Sequence, residues 1–394
     1  MKPGWIMDKL ENVCEKITDG THQTPTYFEK GILFLSSRNV TGGVIDWDHI
    51  KYIDEKQHLE MYKRVAPRIN DILLAKNGTT GVAAKVDREI TFDIYVSLAL
   101  LRARDEILPD YLLYFINSPI AKNQFNKRLK GVGVPNLHLE EIREVLVPFP
   151  KSLVEQKRIV GILDEAFEGI ATAKANAEKN LQNARALFEN NLQNIFSRRG
   201  PEYVEKLFSE VCTITSMLVD PRQKMYLDLL HVGGANIETK TGKLIELKTA
   251  REEKLISGKF LFDENMVLYS KIRPYLMKVA RPTFKGLCSA DIYPLSVMPS
   301  ELDQKYLYHL LLSPEFTEYA IEGSARAGMP KVNREHLFAY TSWFPPLKEQ
   351  RRLAKTLDAL FEETQKLESV YKQKHDALED LKKSLLNQAF TGQL

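Results

Sequence analysis

Four stretches of this chain recur, in the same order and at a nearly constant offset, in its second half. Lys9-Leu10, Val13-Cys14 and Ile17-Thr18 answer Lys206-Leu207, Val211-Cys212 and Ile214-Thr215. Asp71-Ile72-Leu73-Leu74 answers Asn265-Met266-Val267-Leu268. Tyr111-Leu112 and Ser118-Pro119 answer Tyr306-Leu307 and Ser313-Pro314. Phe149-Pro150, Glu155-Gln156-Lys157-Arg158, Leu163-Asp164 and Phe167-Glu168 answer Phe344-Pro345, Glu349-Gln350-Arg351-Arg352, Leu357-Asp358 and Phe361-Glu362. One such match arises by chance; four in one order are a duplication. The chain therefore carries a unit of roughly 200 residues written twice, and any fold must place the same architecture in both halves.

Each copy has two parts. The first, residues 1–150 and 200–345, holds short β-rich runs such as Ile32-Leu33-Phe34-Leu35 and Val267-Leu268-Tyr269. Turn signals punctuate them, among them Lys76-Asn77-Gly78-Thr79. A helix is expected in each at Asp110–Asn117 and Gln304–Leu312, stopped before Pro119 and Pro314. The second part, residues 151–199 and 346–394, has no proline after its start and shifts to Ala, Leu, Glu, Lys, Asn and Gln, the profile of a long helix. The expected fold class is mixed, α+β: two α/β-type globular domains related by pseudo-two-fold symmetry and joined by two long antiparallel coiled-coil helices.

The helical parts carry the pairing signal. In the first, Ile159, Leu163, Ala166, Ile170, Ala173, Ala177, Leu181, Ala184, Phe188 and Ile195 recur mostly in alternating steps of four and three, a coiled-coil seam. The step from Ala177 to Leu181 breaks the alternation as a stutter does. In the second, Leu353, Leu357, Leu360, Leu367, Tyr371, Leu378, Leu381, Leu385 and Ala389 repeat the pattern. Each seam is narrow, so each helix needs a partner surface. Either each packs only onto its own domain, or the two pair; the small residues Ala166, Ala173 and Ala177 favour pairing.

Bulk properties bound the function. No stretch approaches the about 18 apolar residues of a membrane span. Three cysteines in 394 residues fit a reducing compartment better than a disulfide framework. The N-terminal residues show no apolar core followed by a small-residue cleavage site, so the expected location is the cytoplasm. A net charge of +3 neither demands nor excludes nucleic acid.

Several motifs resemble one family. Asp19-Gly20-Thr21-His22-Gln23-Thr24-Pro25, Phe34-Leu35-Ser36-Ser37-Arg38-Asn39-Val40 and Tyr269-Ser270-Lys271-Ile272-Arg273-Pro274-Tyr275 stand out, with the duplicated Phe-Pro and Glu-Gln segments and the terminal Leu385–Gly392 run. Together they make the chain similar to the specificity subunits of type I restriction-modification systems, over essentially its whole length. The resemblance implies two target recognition domains, each reading one half of a split double-stranded DNA target. It implies paired helices that set the distance between the halves and dock two methyltransferase subunits, which bring S-adenosylmethionine, with translocating restriction subunits completing the complex. No cofactor is expected on this chain itself. The copies differ: the first reads Gly78-Thr79-Thr80 where the second has Ile272-Arg273-Pro274, and the second lacks Asp-Gly-Thr-His. An asymmetric target follows.

Catalytic constellations are not evident in the sequence. The Pro345-Pro346 pair suits a helix start rather than an amino-methyltransferase motif. Gly131-Val132-Gly133 lacks the third glycine of a dinucleotide loop, and the eight histidines show no helical metal-ligand spacing. Polar loops fit DNA better, since Lys, Arg, Ser and Thr serve phosphates while Arg, Asn and Gln read base edges. The candidates in the first domain are Thr21, His22, Gln23, Thr24, Ser37, Arg38, Asn39, Lys76, Asn77, Thr79, Thr80, Lys127, Arg128 and Lys130. In the second they are Lys271, Arg273, Lys278, Arg326, Lys331, Asn333 and Arg334. Helix pairing is assigned to Leu163, Ala166, Ile170, Ala173, Ala177, Leu181, Leu357, Leu360, Leu367, Leu378, Leu381 and Leu385. Arg158, Arg351, Arg352 and Lys355, which oppose the dipole at the helix starts, are expected to meet a partner's acidic groups or spacer phosphates. The rival reading is a protein-interaction scaffold with no DNA role, distinguishable by the salt dependence of DNA binding. A nearer alternative is a specificity subunit whose nuclease and methyltransferase partners are fused.

Overall fold

The structure is a computed structural model and describes residues 2–40, 42–130, 136–324 and 329–394. It divides into two compact units: Met1–Ala177 with Lys372–Leu394, and Glu178–Tyr371. Each unit thus holds one globular part and a segment of both long helices.

In the first unit the strands are β1 (Trp5–Lys9), β2 (Cys14–Asp19), β3 (Ile32–Leu35), β4 (Lys51–Ile53), β5 (Ile72–Ala75), β6 (Ala83–Lys85), β7 (Phe92–Ile94), β8 (Leu98–Ala103) and β9 (Leu146–Pro150). β1 pairs antiparallel with β9, closing the globular part on itself. A four-stranded sheet runs β2-β8-β5-β6, and a three-stranded sheet runs β4-β3-β7 with β3 and β7 parallel. Strand β5 shows why the two sheets coexist. It is buried on both faces and its side chains alternate: Ile72 and Leu74 enter the core beneath the long helices, while Leu73 and Ala75 enter a second core against the three-stranded sheet.

The second unit repeats this plan with β10 (Val204–Leu207), β11 (Cys212–Thr213), β12 (Leu218–Val219), β13 (Leu230–Val232), β14 (Lys248–Thr249), β15 (Lys259–Phe262), β16 (Met266–Ser270), β17 (Val279–Ala280), β18 (Gly286–Cys288), β19 (Ile292–Val297) and β20 (Thr341–Phe344). β10 closes on β20, and the four-stranded sheet is β11-β19-β16-β17. The other sheet is larger, β12-β15-β18-β13-β14, and keeps the parallel pair as β13 with β18. β16 divides two cores as β5 does, Val267 and Tyr269 to the side beneath the long helices and Leu268 to the other, so Val267 stands where Ile72 does, one residue on from the sequence match.

The recurring sequence pairs are explained by local chemistry. Ser118 and Ser313 cap helices Pro119–Asn126 and Pro314–Glu322, accepting from Ala121 N and Phe316 N, both at 3.2 Å. Pro119 and Pro314 occupy the first helical positions, so these prolines open new helices as well as following Pro109–Ile116 and Gln304–Leu310. The Glu-Gln pairs start the long helices, Leu153–Phe196 and Leu347–Thr391. Arg158 bonds Glu155 and the Leu394 carbonyl, Arg352 bonds Glu349, and Arg351 lies 3.7 Å from Asp303. Each of the three has a partner within the chain, and each keeps an exposed side chain. Glutamates in the first turn also offset the dipole that the arginines oppose.

Within each unit the helix segments run antiparallel. In the first, Ile159 and Leu163 share a core with Leu386, Ala389 and Phe390, and Lys174 pairs with Glu379. In the second, Leu192 and Phe196 share a core with Leu353 and Leu357; Phe188 meets Phe361 at 5.4 Å and Arg185 meets Glu368 at 2.5 Å. Leu163, Ile170, Ala177 and Leu357 are buried; Ala166, Ala173, Leu181, Leu360, Leu378 and Leu385 are half-buried. Leu367 and Leu381 do not fit the seam, being 39% and 47% exposed. Their neighbours make the contacts between the helices instead: Glu368 to Arg185, and the exposed Lys382 over the Phe167 ring at 5.0 Å. A strict leucine count missed that polar residues make the contacts there.

Candidate nucleic-acid interface

The first domain is organised around Asp19, at the end of β2. Its side chain is 3% exposed and accepts from Lys76 Nζ at 2.6 Å, from Arg64 at 2.6 Å and lies 3.2 Å from His22 Nε2. Burial alone would raise the Asp19 carboxyl, but the bonds from Lys76 and Arg64, then His22, outweigh it and hold it below the usual range. Gly20 follows because nothing larger fits: a Cβ there would lie 1.8 Å from the Ile94 carbonyl oxygen. Thr21 then pairs its backbone with Ile94 and Val96 and is buried, so it braces the turn and presents no side chain outward. His22, Gln23 and Thr24 are exposed beyond it.

The segment Tyr95–Ser97, linking β7 and β8, gathers the other loops. Thr24 Oγ1 lies 3.5 Å from the Tyr95 hydroxyl, Ser37 N donates to Ser97 Oγ at 3.0 Å, and Lys76 N donates to Ser97 O at 2.8 Å. Tyr27, Ser37, Arg38, His49, Lys51 and Tyr95 line a cleft of about 500 Å³ beside these loops. Lys51 sits 3.9 Å over the Tyr27 ring. Asn77 bridges to Asn136, which bridges to Lys130, so the 76–80 tip and the 127–130 segment are neighbours. The expected polar tips therefore form one rim.

Not every candidate faces outward. Asn39 is 6% exposed and its amide is spent on Ser36 N, Asp46 O and His49 O. Lys76 is buried on Asp19. Arg128 donates to the Gln124 and Glu144 carbonyls. These three hold the loops and are not surface contacts. Lys130 remains exposed but pairs with Glu141 at 2.5 Å. Ser37, Asn77 and Thr80 are half-buried; Arg38, Thr79 and Lys127 are exposed.

The second domain builds the same corner with other side chains. Val332 N donates to Lys271 O at 2.9 Å, as Leu137 N does to Lys76 O at 3.0 Å, and Ile272 bridges to Lys331 as Asn77 does to Asn136. Lys271 and Lys76 are therefore equivalent. Lys271 too is 9% exposed, with its Nζ 2.5 Å from Ala290 O and 3.3 Å from Asp291; burial lowers its pKa. Lys278 donates to Gly234 O at 2.5 Å, and Asn333 caps helix Arg334–Phe338 by accepting from His336 N at 2.7 Å. Lys271, Lys278 and Asn333 are thus spent on the fold. Arg273, Lys331 and Arg334 are exposed, with Arg334 stacked over Phe260 and Tyr293 at 5.7 and 5.9 Å. Arg326 lies outside the described residues.

Sequence reasoning missed Arg64, Tyr27, Lys51 and Tyr95. Arg64 ends helix Glu55–Arg64, whose His58 bonds Asp93 of β7 at 2.6 Å and so fixes the helix beside the Asp19 turn. Among the described residues, no group of three His, Cys, Asp or Glu side chains gathers as a metal site, and no helix is long and apolar enough to cross a membrane.

The sequence model of the type I restriction modification DNA specificity domain matches residues 4–182 and 220–375. The EcoDI specificity subunit of Escherichia coli is 28% identical over 357 residues, 82% of this chain and 78% of that protein. The StySPI specificity subunit of Salmonella potsdam is 19% identical over a 430-residue alignment covering 99% of this chain and 89% of that protein. Among solved structures, a chain from a study of complex assembly and conformational transition of the type I R-M system superposes with a TM-score of 0.76 at 18% identity, covering 100% of this chain and 99% of that one. The HsdS subunit from Thermoanaerobacter tengcongensis superposes with a TM-score of 0.60 at 20% identity, covering 100% and 98%.

Proposed function

Since the chain belongs to the type I restriction-modification DNA specificity family, we propose that each globular part reads one half of an asymmetric, bipartite duplex target. The first presents His22, Gln23, Thr24, Ser37, Arg38, Thr79 and Lys127; the second presents Arg273, Lys331 and Arg334. The long helices act as the ruler between half-sites and as the docking surface for two methyltransferase subunits. Those subunits hold S-adenosylmethionine and carry out the chemistry, restriction subunits join the same assembly, and this chain contributes recognition without catalytic residues. The complex works in the cytoplasm.

One observation carries this reading. The corner built by Lys76 with Leu137 recurs as Lys271 with Val332, while the outward residues around it differ. A shared frame with different polar tips is what two readers of different sequences require, because phosphate contacts position and base contacts specify.

The test exchanges residues 1–150 for the corresponding part of a relative with a different target and maps methylated sites in cells supplying the partner subunits. One half-site should change, with the other half-site and the spacer retained. Both half-sites changing, or neither, would contradict the assignment.

A further inference from the structure

We infer that Arg273 is the side chain that reads a guanine in the second half-site, from a position that the first domain leaves to a glycine. The inference rests on the reading of the second globular part as a DNA reader. The equivalence of Lys76 with Lys271 corrects the sequence match by one residue: Asn77 stands against Ile272, and Gly78, rather than Thr79, stands against Arg273. Both backbones are left-handed, with φ of 74° at Gly78 and 50° at Arg273. Such a φ favours glycine, and an arginine there, directly before Pro274, is held against its own preference. Observed strain of this kind motivates a functional hypothesis.

The turn presents the side chain on a fixed base. Arg273 N donates to Pro330 O at 2.9 Å and Leu276 N donates to Arg273 O at 2.9 Å, with Pro274 buried between them. At Gly78 a Cβ would meet nothing within 4 Å, so the equivalent place in the first domain opens to free space. The neighbouring cations are engaged: Lys271 with Ala290 O, Lys278 with Gly234 O, Arg334 over two rings, and Lys331 3.9 Å from Asp291. Among the described residues the exposed Arg273 guanidinium has no partner. Asp291 also lies 3.3 Å from Lys271, so the flanking lysines are offset by a carboxylate and the corner is not a plain phosphate patch. A planar fork of unspent donors, projected from a rigid turn and not stacked on a ring, matches the O6 and N7 acceptors of guanine in the major groove.

The experiment maps methylated sites for the assembled complex carrying the natural chain, Arg273→Gly or Arg273→Lys. The natural second half-site should contain a G·C pair at which Arg273→Gly lowers discrimination by about 10- to 100-fold. The first half-site and the spacer should be unchanged, and the thermal midpoint unchanged or raised, because glycine suits this φ. Arg273→Lys should keep overall affinity and lose discrimination at that pair. Uniform weakening on all sequences, with a salt slope smaller by about one, marks a phosphate contact and overturns the inference. So does an Arg273→Gly variant that alters no position. In that last case, exchanging residues 200–345 separates the two levels: a changed second half-site removes only the arginine assignment, and an unchanged one removes the reading of the domain itself.

Discussion

Gln156 and Gln350 make the same three hydrogen bonds in the two copies. Gln156 Oε1 accepts from Leu108 N at 2.8 Å while its Nε2 donates to Glu106 O and Pro150 O, each at 2.9 Å. Gln350 Oε1 accepts from Asp303 N, and its Nε2 donates to Glu301 O and Pro345 O, all at 2.9 Å. Both side chains are almost wholly buried, so each locks the first turn of a long helix to its own globular part. Replacing either by leucine leaves three backbone groups without partners. We expect a loss of about 2–4 kcal/mol for Gln156→Leu or Gln350→Leu, measured by urea unfolding. A loss within the ordinary surface range would show that the clamp does not anchor the helix.

The Asp19 turn makes a second prediction. Lys76 is 5% exposed and its Nζ bonds the Asp19 carboxylate. Asp19→Ala strands that ammonium and should cost about 3–5 kcal/mol, whereas a joint Asp19→Leu, Lys76→Met replacement should recover much of it. Arg64→Ala, at a half-exposed partner, should cost no more than about 1 kcal/mol. Unfolding curves of the variants give the comparison; equal losses for Asp19→Ala and Arg64→Ala would contradict the buried pair's dominance.

Asp358 should be one source of acid sensitivity. His309 Nε2 and an Arg281 nitrogen each lie 2.8 Å from it. Burial alone would raise the Asp358 carboxyl; the bonds from His309 and Arg281 outweigh it and hold it at about 2, against an ordinary 3.8. A depressed carboxyl stabilises the fold above its unfolded value, and this contribution of about 2 kcal/mol is lost as pH falls from about 4 to about 2. His309 is also depressed, by burial first, with Asp358 opposing. Its unfolded form takes a proton below the ordinary 6.5, so it too removes stability on acidification, and at higher pH. Urea midpoints against pH for the natural chain and Asp358→Asn should differ in slope between pH about 4 and about 2. Parallel curves there would contradict the assignment.

The helices as ruler can be tested by length. Inserting four residues after Ala177 and four after Tyr371, where each helix passes from one compact unit to the other, adds ~6 Å to each. That is nearly two base pairs at ~3.4 Å each. Mapped sites should keep both half-sites and show a longer spacer; an unchanged spacer removes the ruler.

The duplication and the long helices were legible because each is written locally and twice, whereas Ser118-Pro119 and Ser313-Pro314 read only as the ends of the preceding helices although they also start new ones. Misread residues fail for a common reason. Lys76 looks like a loop-tip cation until Asp19, 57 positions away, is folded beside it, and Asn39 looks like a base reader until its amide is used inside its own turn. Arg64 was passed over because it sits at the end of a charged surface helix, with no signal that His58 and Asp93 bind that helix to the Asp19 turn. Leu367 and Leu381 satisfied a hydrophobic count, yet Glu368 and Lys382 make the contacts between the helices there. Pattern identifies the frame, whereas the use of a polar side chain depends on partners far away in sequence.

The most direct test of two different readers on one repeated frame is to sequence the methylated positions of DNA from cells expressing this chain with its partner subunits. The account predicts two dissimilar half-sites separated by a spacer of fixed length and unspecified sequence. Two identical half-sites, or one continuous recognition sequence, would contradict it.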